Sequence, residues 1–387
     1  MSEWKEYRFS DFVEINPSVK ISKGILIPFV EMKDLDNSIR YCESLQEKEL
    51  SGGSRFMNGD TLFARITPCL ENGKICQVRN LKNNFGFGST EFHVFRGKDG
   101  VSDTDFVYYL SRWDEVRDFA EHNLEGSSGR QRVSKEAFDN LYLILPSLDI
   151  QRRIASILTS LDDKIDLLRR ENATLEAMAE TLFRQWFVVE AKEEWKERPL
   201  SKCIKLIVGG TPKTSEERFW NGNVCWLSGG DIANNHKSFV SSSEKSISED
   251  GLNNSSAKLL PENAMVVSAR GTVGKYCLLS KPMAFSQSNY GILPVFDNCY
   301  FFTYLLVAYH IDELQSAAYG SVFDTITTKT FEGVMVLLPK DTSYILEFEK
   351  MIAPYFKKMK NNNKQIHNLI QTRDGLLEKL MSNEIKI

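Results

Sequence analysis

The chain is written twice, and that repeat limits its fold more than any single motif. Trp4-Lys5-Glu6, with Ser10 behind it, recurs as Trp195-Lys196-Glu197 and Ser201, and Val30 with Asp34 recurs as Leu227 with Asp231. The run from Gly59 through Ala64-Arg65 to Gly73-Lys74-Ile75 parallels Glu262 through Ala269-Arg270 to Gly274-Lys275-Tyr276. Each is an apolar strand, an Ala-Arg, a short loop and a Gly-Lys. Phe106 to Leu110 matches Phe301 to Leu305. Gly126-Ser127-Ser128 through Lys135, Phe138, Leu141 and Pro146 matches Gly320-Ser321-Val322 through Lys329, Phe331, Val334 and Pro339. The offset drifts only between 191 and 205 in a chain of 387 residues, so two copies of one folding unit are expected.

Each copy ends in a heptad. Ile154, Leu158, Leu161, Ile165, Leu168, Asn172, Leu175, Ala179 and Leu182 alternate four and three apart, and adding 194 gives Phe348, Ile352, Tyr355, Met359, Asn362, Ile366, Leu369, Arg373 and Leu376. A stripe this long predicts helices that pair with each other rather than lie on a domain. Asn172 and Asn362 interrupt the apolar seam, as polar residues do where some stability is traded for a fixed register. Pro354 is discordant, because a proline inside a helix removes a hydrogen bond and kinks or breaks it.

Within the copies, Thr61–Ile66, Lys74–Val78, Met265–Ser268 and Val334–Leu338 are short, rich in Val, Ile, Phe and Thr, and bounded by Gly, Pro or Asn, so they read as strands. The expected fold is therefore α+β. Two tandem mixed α/β domains, 1–146 and 191–340, are each followed by a long helix, 147–190 and 341–387. The two helices are expected to pair as an antiparallel coiled coil about a pseudo-two-fold.

Composition narrows the function. With 42% hydrophobic residues, no apolar run long enough to cross a bilayer and no signal-like start, the chain is expected in the cytoplasm. Cys42, Cys69, Cys76, Cys203, Cys225, Cys277 and Cys299 are odd in number and contain no C-x-x-C, so neither a disulfide framework nor a zinc finger is expected. The net charge of −4 means that any nucleic-acid surface must be a local patch or be shared with a partner.

Catalytic constellations are missing from the sequence. A DNA methyltransferase needs an Asn/Asp-Pro-Pro-aromatic tetrad for its target base, and Asn16-Pro17-Ser18 lacks the second proline and the aromatic. Gly271 to Lys275 is too short for a phosphate loop, and Tyr276 stands where a hydroxyl must reach magnesium. His93, His122, His236, His310 and His367 lack metal-ligand spacing, and no G-x-S-x-G elbow marks a nucleophile. No metal, no cofactor and no enzymatic activity of its own are expected.

The layout resembles the specificity subunit of type I restriction-modification systems. Leu145-Pro146-Ser147-Leu148-Asp149-Ile150-Gln151-Arg152-Arg153-Ile154 carries the likeness most strongly, followed by Leu161 to Ile165, and the Gln185-Trp186-Phe187 close also fits. The second junction, Leu338-Pro339-Lys340-Asp341-Thr342-Ser343, lacks the Gln-Arg-Arg-Ile stretch. The resemblance implies that each domain is a target-recognition domain for half of an asymmetric, bipartite duplex. It also implies that the helices set the spacing, that modification (methyltransferase) subunits, two of them, dock on the helices, and that restriction (motor-nuclease) subunits join through the complex. Two other readings stay open from residues alone. One is the specificity subunit of a fused restriction-methylation enzyme. The other is a tandem binding module for another ligand, served by Trp4, Trp113, Trp186, Trp195, Trp220 and Trp226.

Base edges are read by Arg on guanine and by Asn or Gln on adenine. Candidate contacts are those residue types in Gly- and Ser-rich loops beside the predicted strands: Arg65, Lys74, Arg130, Gln131, Arg132 and Lys135 in the first domain, and Lys213, Arg270, Lys275, Gln287, Asn289 and Lys329 in the second. Arg65 and Arg270, as the recurring pair, are expected to hold phosphate or the fold, because readers of different half-sites should differ.

Overall fold

The structure, a computed structural model, describes residues 4–22, 24–44, 46–127, 129–319 and 324–387. Ser128 and Gly320-Ser321-Val322 of the repeat lie outside the described residues. The chain divides into two compact units, Met1–Leu167 with Ile366–Ile387, and Leu168–Gln365. Each unit takes a stretch of both long helices.

The first unit holds a five-stranded sheet in the order Val13–Ile15, Phe92–Gly97, Thr61–Ala64, Ile75–Val78, Tyr41–Cys42, antiparallel except for the last pair. A four-stranded sheet runs Gln46–Glu49, Leu26–Val30, Phe85–Gly88, Ser54–Met57. A ribbon pairs Trp4–Arg8 with Tyr142–Pro146, and a short hairpin pairs Leu124–Glu125 with Arg132–Val133.

The second unit repeats the order of both sheets and of the ribbon, and among its described residues the short hairpin has no counterpart. Its five-stranded sheet is Ile204–Val208, Asn289–Pro294, Met265–Ser268, Tyr276–Leu279, Phe239–Val240. Its four-stranded sheet is Lys245–Ile247, Trp220–Leu227, Met283–Phe285, Leu259–Leu260, and its ribbon pairs Lys196–Pro199 with Met335–Leu338. The predicted strands are found within two residues of their expected ends.

Thr61–Ala64, Ile75–Val78, Met265–Ser268 and Tyr276–Leu279 are buried at every residue. Both faces of these sheets are covered, which is why the strands read as unbroken apolar runs rather than as alternations. In the first unit Phe138 meets Phe9 and Phe95 at 5.1 and 5.5 Å between ring centres.

The first long helix runs Leu148–Arg184 and ends in a π-turn, Gln185–Val189; the second runs Ser343–Met381. Every seam position is buried or half-buried. Inside each unit the two helices lie antiparallel. In the first, Asp162 meets Arg373, while Ile150 and Ile154 lie beside Leu380. In the second, Asn172 meets Asn362, and Phe183 and Trp186 meet Phe348 and Tyr344. Pro354 does not break the second helix, which continues through it. Pro354 lies on the exposed side, where water can take the carbonyl its missing N–H leaves free.

Candidate nucleic-acid interface

In the first unit four of the candidates converge where the hairpin Leu124–Val133 joins the five-stranded sheet. Gln131 is clamped by its backbone, which donates to Thr67 Oγ1 at 3.1 Å and accepts from the Thr67 N–H at 3.0 Å. Val133 N–H donates to the Arg65 carbonyl at 3.0 Å, and Arg65 N–H donates to the Glu91 carbonyl at 3.0 Å. His93 Nε2 lies 2.9 Å from the Val133 carbonyl. Burial pushes this imidazole down to about 4, so at neutral pH it is uncharged and its Nε2–H donates to that carbonyl.

Arg132 spreads its guanidinium over Glu91, with Nε to Oε2 at 2.9 Å and Nη2 to Oε1 at 2.7 Å, and gives its Nη1 to the Arg130 carbonyl at 2.9 Å. That fork holds the Glu91 carboxyl below the usual carboxylate range. Arg130 and Lys135 are exposed. Arg65 is half-buried, and its Nε is buried with no acceptor. Lys74 turns away from this cluster and donates to the Met32 carbonyl at 2.8 Å.

In the second unit the equivalent junction is at Ala269, whose N–H donates to the Ser288 carbonyl at 3.0 Å and whose carbonyl accepts from Ile326 at 3.1 Å. Arg270, Gln287 and Lys329 lie next to these three residues in sequence or one helical turn on, and all three are exposed. Lys213 is exposed and its carbonyl accepts the Trp220 indole N–H at 3.1 Å. Lys275 is half-buried beside His236, whose pKa burial lowers first and the lysine lowers further.

Two expectations are corrected. Asn289 is 1% exposed and its amide donates to Ser286 Oγ at 2.7 Å. A side chain spent in the interior cannot reach a base edge. Arg65 and Arg270 are also not counterparts. Ala64 pairs with Phe92 as Ser268 pairs with Asn289, and the Lys74 and Lys275 carbonyls accept from Ala64 and Ser268 respectively. Arg65 therefore corresponds to Ala269, and Arg270 to Ile66. A one-residue slip reverses the face of a strand, so the Ala-Arg recurrence is not a shared site.

Sequence reading missed Glu91 and Thr67, which organise the hairpin. They are 41 and 64 positions from the residues they hold, and no local spacing marks such a pair. Among the described residues, no three His, Cys, Asp or Glu side chains gather to hold a metal, and no helix is long and apolar enough to cross a membrane.

A duplicated mixed α/β domain joined to paired long helices defines a protein built from two like halves. Comparison with known proteins agrees. The family model described as "Type I restriction modification DNA specificity domain" matches twice, over residues 1–177 and 192–372. The chain belongs to that family. It is similar to the HindI type I restriction enzyme specificity subunit of Haemophilus influenzae, at 25% identity with 100% of both chains covered. It is likewise similar to the MjaIX specificity subunit of Methanocaldococcus jannaschii, at 24% identity with 100% of this chain and 94% of that one covered. The fold matches that of the type I restriction-modification S subunit from M. genitalium with a TM-score of 0.59 at 15% identity, covering 97% of this chain and 96% of the other.

Proposed function

We propose that the chain is the subunit that selects DNA sequence for a type I restriction-modification complex in the cytoplasm, with methylation and cleavage carried out by partner subunits. Residues 1–146 read one half of an asymmetric, bipartite duplex site and residues 191–340 the other. The helices of 147–190 and 341–387 set the distance between the two contacts. Two modification subunits dock along the helices, and motor-nuclease subunits join through the complex.

One observation carries the reading: the identical order of the main sheets in both units, with exposed loop residues that differ at the matched junctions. A common scaffold with divergent tips is what two readers of different sequences need. The helix lengths suit it. At about 1.5 Å per residue, 37 residues rise roughly 55 Å, more than the roughly 34–36 Å of one B-DNA turn, so base pairs between the half-sites go unread.

The test is a domain exchange in the complex. Replacing residues 1–145 by the matching segment of a relative with another specificity is expected to change one half of the methylated motif and leave the other intact. Sequencing of methylated DNA reads this directly, and a simultaneous change in both halves would refute independent reading.

A further inference from the structure

We propose that Glu91 and Arg132 form a strut that presets the tip of the Leu124–Val133 hairpin, leaving Arg130 to read a base of the first half-site and Arg65 to hold backbone phosphate. The inference rests on the function proposed above and assigns roles within it.

The hairpin has only two paired positions, Leu124 with Val133 and Glu125 with Arg132, and a ribbon so short is not stable by itself. Its order comes from its root. Thr67 clamps Gln131 from both sides, His93 holds the Val133 carbonyl, and Arg65 accepts the Val133 N–H. The tip is closed by the Arg130 N–H on the Ser127 carbonyl at 3.0 Å, with Gly126 and Gly129 at φ +119° and +77°, angles that favour glycine.

Arg132 cannot itself be the reader. Bidentate recognition of guanine uses the guanidinium fork, and here Glu91 occupies it while the third nitrogen holds the Arg130 carbonyl. That last bond makes Arg132 a brace on the backbone of its exposed neighbour. Arg130 has an exposed side chain that, among the described residues, makes no hydrogen bond or ion pair. A two-stranded ribbon is one of the two elements that fit the major groove, and an arginine at its tip meets the base edges first.

Arg65 is placed differently. It lies at the root, half-buried, with a buried Nε–H that has no acceptor, and a buried donor left unpaired is unfavourable. The nearby carboxylate is already bidentate to Arg132. A phosphate oxygen reaching the root would supply the missing acceptor. Glu91 is thus a positioning residue, acting on DNA only through the two arginines.

The test uses the full chain in complex with its modification subunits. It reads the methylated motif and the salt dependence of duplex binding. Arg130→Ala is expected to relax one position of the first half-site by about 10- to 100-fold in preference and leave the second half unchanged. Glu91→Gln is expected to relax that same position. Arg65→Ala is expected to weaken binding to all duplexes alike and to lower the slope of log affinity against log salt by about 1.

The strut is overturned if Glu91→Gln keeps the parental motif, or if Arg65→Ala changes the motif instead of the salt slope. Should Glu91→Gln abolish methylation altogether, Arg132→Lys decides, since it keeps the charge but not the fork; an unchanged motif in that variant overturns the strut. An unsubstituted complex that methylates no two-part motif would instead refute the function proposed above.

Discussion

The two units solve one fastening problem with different chemistry. Both present a tyrosine from the same repeat position, Tyr109 or Tyr304, to a carboxylate on the first long helix. Tyr109 donates to Asp162 at 2.7 Å and Tyr304 to Glu176 at 2.6 Å. In the first unit that carboxylate is neutralised: Arg373 of the second helix donates to Asp162 at 2.7 Å, and Arg40 donates to the Tyr109 hydroxyl at 3.2 Å and to Gln77 at 2.9 Å. In the second unit amides make the link, one of them also donating to a carboxylate. Asn362 donates to Asn172 and to Glu171 at 2.8 Å, Asn172 donates to Asn363 at 2.7 Å, and Asn363 donates to Ser238 Oγ at 2.8 Å. Further along the same two helices, Phe183, Phe187, Trp186 and Phe348 pack as one aromatic cluster. Strand order is common to both units, whereas the polar contents of the helix seam are not. In both seams the buried donors find acceptors, and Asn362 Oδ1 is the one buried oxygen of the ladder left without a donor among the described residues.

The comparison breaks most visibly at Arg373. Asp162 and Arg373 have side chains 2% and 3% exposed, and removing one member of such a pair strands the other charge. Arg373→Ala is expected to destabilise the first unit by about 3–5 kcal/mol, read as an earlier urea transition. Replacing both, Asp162→Leu with Arg373→Met, is expected to recover most of that loss, because apolar pairs of similar volume often do as well as buried ion pairs. A single substitution as mild as the double one would show that the charge pair is not what fastens this unit.

A second difference is how the matched helices are capped. Thr104–Arg112 takes its cap from its own chain neighbour, Asp103, which accepts the Phe106 N–H at 3.0 Å. Tyr300–Tyr309 has Cys299 at that position with no side-chain cap. There Glu349 of the second long helix accepts the Phe301 and Phe302 N–H groups at 3.2 and 2.7 Å. Burial outweighs these bonds and pushes Glu349 up to about 7. A carboxyl with a raised folded pKa binds more protons folded than unfolded, so stability should fall as pH rises from about 4.5 to about 7 and level off above. The expected size is about 3 kcal/mol, confined to the second unit, and Glu349→Gln should flatten it. A pH dependence unchanged in Glu349→Gln would place its origin elsewhere.

The repeat makes much of this legible in the sequence alone. Offsets read from Trp4, Val30, Asp34, Leu141 and Pro146 agree with the strand pairings, and Asp34 and Asp231 cap matched turns by accepting the Glu31 and Ser228 N–H groups. Heptad spacing found every seam position, because period and burial are the same fact on a helix. Identity of small motifs misled where spacing was loose: the Ala-Arg pair differs by one register step, which only hydrogen bonds between strands can show. Asn289 looked like a loop amide and is interior, since the strand it opens continues the sheet. Glu91, Thr67 and Glu349 act across 41, 64 and about 48 positions, beyond any local signal. The division of each helix between two units was likewise invisible, because a linear reading assigns a helix to the domain before it.

The smallest expected effect concerns the amide ladder. Asn362→Ala removes the donor to Asn172 and Glu171 together and leaves the half-buried amide oxygen of Asn172 without it. The expected loss is about 1–2 kcal/mol, well below that of Arg373→Ala. Converting both positions to leucine should instead raise resistance to urea, since an apolar seam packs at least as well. The penalty then appears in specificity: without a polar pair to reject other alignments, helices of this kind adopt other registers or partners. Asn172→Leu with Asn362→Leu is therefore expected to elute partly as higher oligomers, where Arg373→Ala elutes as the parent chain does. A double leucine variant that is both more stable and of unchanged size would mean that shape alone, set by the aromatic cluster around Phe183 and Phe348, fixes the alignment of the second unit's helices.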